Sequence, residues 1–101
     1  METRYRTFRE FYPFYLQEHA NSTCRRLHFA GSTIVLLLLA MVLVTGELVL
    51  LWLLPVVGYG FAWVGHFFFE HNRPATFQYP LFSLMGDWVM FRDMLTGRVA
   101  W

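Results

Sequence analysis

Two stretches without a charged side chain constrain this sequence more than anything else in it. Leu27 to Gly46 supplies twenty residues free of Asp, Glu, Lys and Arg, and Leu48 to Phe69 supplies twenty-two. About 20 apolar residues suffice to cross the roughly 30 Å hydrocarbon layer of a bilayer. The run Ile34 to Leu39 is apolar all round, whereas a helix at the surface of a soluble protein is apolar along one stripe. The expected fold is an all-α membrane protein, with a first span over 23–45 and a second over 48–70. Only Thr45, Gly46 and Glu47 separate the apolar cores, so the spans must turn back tightly as an antiparallel hairpin. The rival is a soluble helical hairpin with a buried core.

Composition favours lipid. Hydrophobic residues make up 56% of the 101 and charged residues 15%, against about 25% charged in soluble domains. A chain this short has too much surface to hide that apolar area from water. A net charge of +1 gives no reason to expect a nucleic-acid partner. A signal peptide is not expected, because the first 26 residues are charged and aromatic. The lone Cys24 implies no internal disulfide and is not counted among metal ligands.

All eight basic residues are arginines. Arg4, Arg6, Arg9, Arg25 and Arg26 precede the first span, while Arg73, Arg92 and Arg98 follow the second. The positive-inside rule then puts both termini in the cytoplasm. Pro55 is expected to kink the second span, and Gly58, Ala62 and Gly65 to let another helix approach closely. Two flanks complete the chain. An aromatic segment over 4–20 is interrupted by Pro13, and a segment over 80–96 places Leu81, Leu84, Trp88, Phe91 and Leu95 near one face. Both read as amphipathic interfacial helices in the cytoplasmic headgroup layer.

Ionisable groups in or beside a span are costly and point to function. His28 lies eighteen residues before Gly46 and His66 twenty after it. At 1.5 Å per residue both sit about 27–30 Å from the turn, level with each other. Glu70, four residues past His66, shares its helix face. His19 can join them if the chain breaks near Asn21 and Ser22, and His71 points away. Nitrogen and carboxylate ligands suit Fe(II), Zn or Mn. The alternatives are imidazoles that bind headgroups or carbonyls, or haem ligation.

The segments Glu18-His19-Ala20-Asn21, Arg26-Leu27-His28-Phe29-Ala30-Gly31, Gly58 to Glu70 and Asn72-Arg73-Pro74-Ala75 resemble the 2-hydroxy fatty acid dioxygenase family. The resemblance runs from about Phe11 to Asp93. It implies an Fe(II)-dependent oxidation that shortens a 2-hydroxy fatty acid by one carbon, with His19, His28 and His66 holding iron and Glu70 as the acidic motif residue. It also implies Arg73 or Arg26 pairing with the substrate carboxylate, and a bacterial inner membrane or an endoplasmic reticulum as location. The competing reading is a non-catalytic small membrane protein that binds metal or lipid, or packs as a subunit of a membrane complex. Two spans are few for enclosing a site, which leaves room for a homodimer.

Overall fold

The computed structural model describes residues 5–101, so Arg4 and the expected start of the first flank at residue 4 lie outside the described residues. Helix α1 (Phe8–Gln17) is followed by α2 (Ser22–Thr45). A 3-10 turn (Leu48–Trp52), α3 (Leu53–Val64) and a π-helical turn (Gly65–Glu70) then run on without a break. A short 3-10 turn (Ala75–Phe77) leads into α4 (Pro80–Leu95), and no strand occurs among the described residues.

Local chemistry accounts for the ends. Thr7 caps α1 by accepting the Glu10 N–H at 3.2 Å. Asn21 caps α2, its side chain accepting the N–H groups of Thr23 at 2.9 Å and Cys24 at 3.2 Å. Gly46 ends α2 at φ 72°, a left-handed conformation that glycine adopts without a Cβ clash. Pro80 opens α4 at a position where its missing N–H costs nothing.

One sequence expectation changes. Pro13 lies inside α1 and does not interrupt it. Pro55 falls in the first turn of α3, just after the 3-10 turn. The helix type changes from 3-10 to α two residues before it.

The segments Ser22–Thr45 and Leu48–Glu70 are each long and apolar enough to cross a membrane. Only 17% and 6% of their most apolar stretches are buried, whereas a core helix of a soluble protein is mostly buried. They pack with descending register. A Cβ on Gly65 would meet Cys24, one on Gly31 would meet Phe61, and one on Gly58 would come within 3.8 Å of Val35.

The flanks pack on each other. Phe11 and Tyr15 of α1 join Ala75, Met90 and Met94 in a small core, surrounded by further aromatic rings. The inward face of α4 is Ser83, Gly86, Met90, Asp93 and Met94. The face expected from the sequence is largely the outer one, with Leu81, Leu84 and Leu95 exposed. Gly86 lets the two helices approach closely, since a Cβ there would lie 2.8 Å from the Tyr15 ring.

Candidate metal centre

Three histidines from separate elements converge. His19 follows the end of α1, His28 lies on α2 and His66 in the π-helical turn, all of them buried. The Nε2 atom of His19 lies 3.1 Å from that of His28 and 2.9 Å from that of His66. Several contacts bring them there. Cys24 packs directly on Gly65, a contact that a larger residue would block. The N–H of Asn21 donates to the Glu70 carboxylate, joining the start of α2 to the end of the π turn. Arg25 donates to the carbonyls of His19 at 3.0 Å, Ala20 at 2.7 Å and Ala100 at 2.9 Å, so it holds the connection between α1 and α2.

The outer nitrogens fix the tautomers. The Nδ1 of His19 lies 2.6 Å from the Tyr15 carbonyl, and that of His28 lies 2.9 Å from the Cys24 carbonyl. A carbonyl only accepts, so each Nδ1 carries the hydrogen. The Nδ1 of His66 lies 2.7 Å from Asn72 Oδ1. The Asn72 amide cannot be reversed, because its Nδ2 donates to the Glu18 carbonyl at 3.1 Å and to Glu18 Oε2 at 3.0 Å. His66 is therefore also a donor at Nδ1.

In their neutral forms the three imidazoles therefore present three bare Nε2 lone pairs to one small space. Such nitrogens cannot hydrogen-bond to one another, and their approach is favourable only around a shared cation. Ligand nitrogens at about 2.0–2.1 Å from one ion stand roughly 3 Å apart, in keeping with these separations. Outer hydrogen bonds of this kind orient metal-bound histidines. Cys24 completes the group, with ligand atoms of His19, Cys24, His28 and His66 all within 4.8 Å of one another. This buried set has the donor chemistry to hold a metal ion. Burial, with His28 and His66 alongside, pushes the His19 imidazole well below its ordinary pKa.

The other expected site residues lie elsewhere. Glu70 is outside this group, its carboxylate accepting from Asn21. Arg73 is exposed, with its guanidinium 5.5 Å from the Phe77 ring centroid. Arg26 is exposed too, and neither arginine lines the two cavities beside the histidines. His71 ends the π turn in a left-handed conformation, φ 58°, exposed to the outside.

One of those cavities, about 290 Å³, lies between α2, α3 and α4. Its lining includes His28 and Asp87 at one end and Val35, Leu54 and Pro55 at the other, a span of about 10 Å along the helices. The second, about 20 Å³, is bordered by all three histidines together with Ser83 and Asp87. Tyr15 links this region to α4, its ring stacked on His19 at 4.0 Å and its hydroxyl donating to Asp87. Burial raises the Tyr15 hydroxyl well above its usual pKa. Burial also pushes the Asp87 carboxyl up to about 6, against the lowering effect of the Tyr15 hydrogen bond.

Sequence reasoning passed over Cys24, Arg25, Asn72, Ser83 and Asp87. Only Asn72 stood in a segment with a visible signal, the Asn72-Arg73-Pro74-Ala75 motif.

Residues 5–99 match the family model described as 2-hydroxy-palmitic acid dioxygenase Mpo1-like. No curated protein and no solved structure matches the chain.

Proposed function

The chain belongs to the Mpo1-like family of 2-hydroxy-palmitic acid dioxygenases, and from that premise we propose that it is an integral membrane, metal-dependent dioxygenase acting on 2-hydroxy fatty acids. The observation that carries this reading is the convergence of three histidine Nε2 atoms beside an apolar cavity. His19, His28 and His66 hold the metal, with Cys24 next to it. Iron(II) is the ion the family name and the nitrogen donors favour together. When bound, it supplies the redox chemistry with O₂ that cleavage between C1 and C2 of the substrate requires.

The chain's own residues do the rest. Tyr15, Cys24 and Asn72 hold the outer nitrogens so that the inner ones stay unprotonated and aimed. The cavity takes the first part of the acyl tail between the spans, and its His28 end sets the polar head beside the metal. Burial keeps bulk water from the site. Glu70 acts by tying the π turn to α2. Arg73 and Arg26 sit where they can draw an anionic head toward the membrane surface.

Ser22–Thr45 and Leu48–Glu70 form the antiparallel transmembrane hairpin, and arginine placement sets both termini on the cytoplasmic side. In a bacterium that membrane is the inner one, and in a eukaryote the endoplasmic reticulum. Helices α1 and α4 lie at the interface, with Leu81, Leu84 and Leu95 toward lipid. One chain supplies the whole proposed site, so a homodimer is not needed to complete it.

Detergent-purified protein loaded with iron(II) and given 2-hydroxypalmitate and O₂ should release the C15 acid. Metal analysis should find about one ion per chain. A protein that binds no metal and leaves the hydroxy acid unchanged overturns the proposal.

A further inference from the structure

Ser83 is a serine with nothing to do in the fold. Its hydroxyl is buried, the residue being 4% exposed, and has no hydrogen-bond partner. Helical hydroxyls commonly turn back to the carbonyl four residues earlier. Thr33 does so to Phe29 at 2.9 Å and Thr45 to Met41 at 2.7 Å. Ser83 does not. An unpaired buried hydroxyl is costly, and this one borders the small chamber at the three histidines.

Asp87 lies one turn further along the same face of α4. It is the one acidic group bordering both the small chamber and the large apolar cavity. The Tyr15 hydroxyl, donating to Oδ1, fixes its orientation. Both side chains therefore border the chamber at the imidazole cluster, Asp87 also borders the cavity proposed for the acyl tail, and they come from a helix that supplies none of the clustered histidines.

We propose that Ser83 and Asp87 form a recognition subsite for the hydroxyl-bearing head of the ligand, with Ser83 donating to a head oxygen and Asp87 accepting from the 2-hydroxyl. The inference rests on the functional reading above and adds the residues that distinguish a 2-hydroxy acid from the plain acid. A site built to pair a hydroxyl rejects the analogue lacking it, because its own polar groups are then left unpaired.

The test is equilibrium binding to protein loaded with redox-inert Zn under anaerobic conditions, comparing 2-hydroxypalmitate with palmitate. The unaltered protein should prefer the hydroxy acid by about tenfold or more. Ser83→Ala should weaken 2-hydroxypalmitate by about tenfold without lowering the melting temperature, since it removes an unpaired group. Asp87→Asn, which still offers Tyr15 an acceptor, should bring the preference close to unity. If Asp87→Asn does not fold, Ser83→Ala decides alone. Variants that keep the parent affinity and preference overturn the proposal and leave the chamber as a site for buried water only. An unaltered protein that binds both acids equally, yet still forms the C15 acid aerobically with iron, overturns the subsite and spares the functional reading. A protein that binds neither acid overturns both.

Discussion

The two ends of the long helices follow different rules. At the end near His28 and His66, Cys24, Gly31 and Gly65 are buried, backbone meets backbone closely, and α1 and α4 close over the imidazoles. At the end near Gly46, Leu43 is 86% and Val44 85% exposed, and Leu48 and Val49 are uncovered too. The same pair of helices is thus part of a protein core at one end and bare apolar surface at the other. Interior packing has a stability cost when disturbed, because few voids are available to absorb a change. Apolar surface facing lipid tails has no such constraint, since lipid is as apolar as leucine. Function and stability should therefore be concentrated in the histidine half.

The largest effect should come from the proposed ligands. His28→Ala and His66→Ala should each lower metal affinity by more than about a hundredfold, exceeding what loss of an outer partner does. Metal content after gel filtration measures this, and retention of a full equivalent in both variants would break the comparison at its functional end.

Next comes a pH dependence. Asp87 has its carboxyl raised from 3.8 to about 6 in the folded chain. The folded state thus favours the protonated form, so this group's stabilising contribution is present below pH 4 and lost as pH rises through about 6. Relative to Asp87→Asn, the parent should lose about 3 kcal/mol between those limits. Thermal melts of both proteins across that range test it, and parallel curves would refute it.

Asn72→Ala frees the His66 ring and should reduce metal affinity about 10–100-fold. Calorimetric titration with the metal measures the loss. Gly86→Ala sets a methyl against the Tyr15 ring and should cost about 1–2 kcal/mol in detergent unfolding. The smallest effect belongs to the other end. Leu43→Ala opens no cavity in the protein and should change stability by less than about 0.5 kcal/mol. A larger cost would mean that the Gly46 end is packed against something other than lipid.

Much of this was legible in the sequence where a local rule sufficed. The two uncharged runs mark the apolar helices by length alone, and residue counts from Gly46 put His28 and His66 level. A cap among Asn21, Ser22 and Thr23 and a start at Pro80 follow from the preferences of those residues, and the structure uses Asn21. What escaped depends on contacts between segments distant in sequence. Asn72 meets His66 where the chain turns back at the left-handed His71, and Asp87 reaches Tyr15 across 72 positions. Cys24, read as an idle thiol, is placed at the site by its contact with Gly65. The inner face of α4 escaped for another reason. Apolar residues that mark a face in the sequence, such as Leu81, Leu84 and Leu95, point out, and small or polar residues such as Ser83, Gly86 and Asp93, which point in, give no hydrophobic signal.

The π-helical turn from Gly65 to Glu70 has a consequence for comparing relatives. Such a turn amounts to an α-helix with one residue inserted. Here it ends at His71, left-handed at φ 58°, and the Asn72 N–H returns to the His66 carbonyl at 3.0 Å, which brings the Asn72 side chain onto the imidazole of His66. A relative one residue shorter between these two positions would have the same letters in another phase. Its asparagine would face elsewhere, and its histidine would need a different anchor. The spacing from histidine to asparagine is therefore a ruler for sorting family members, readable by counting alone.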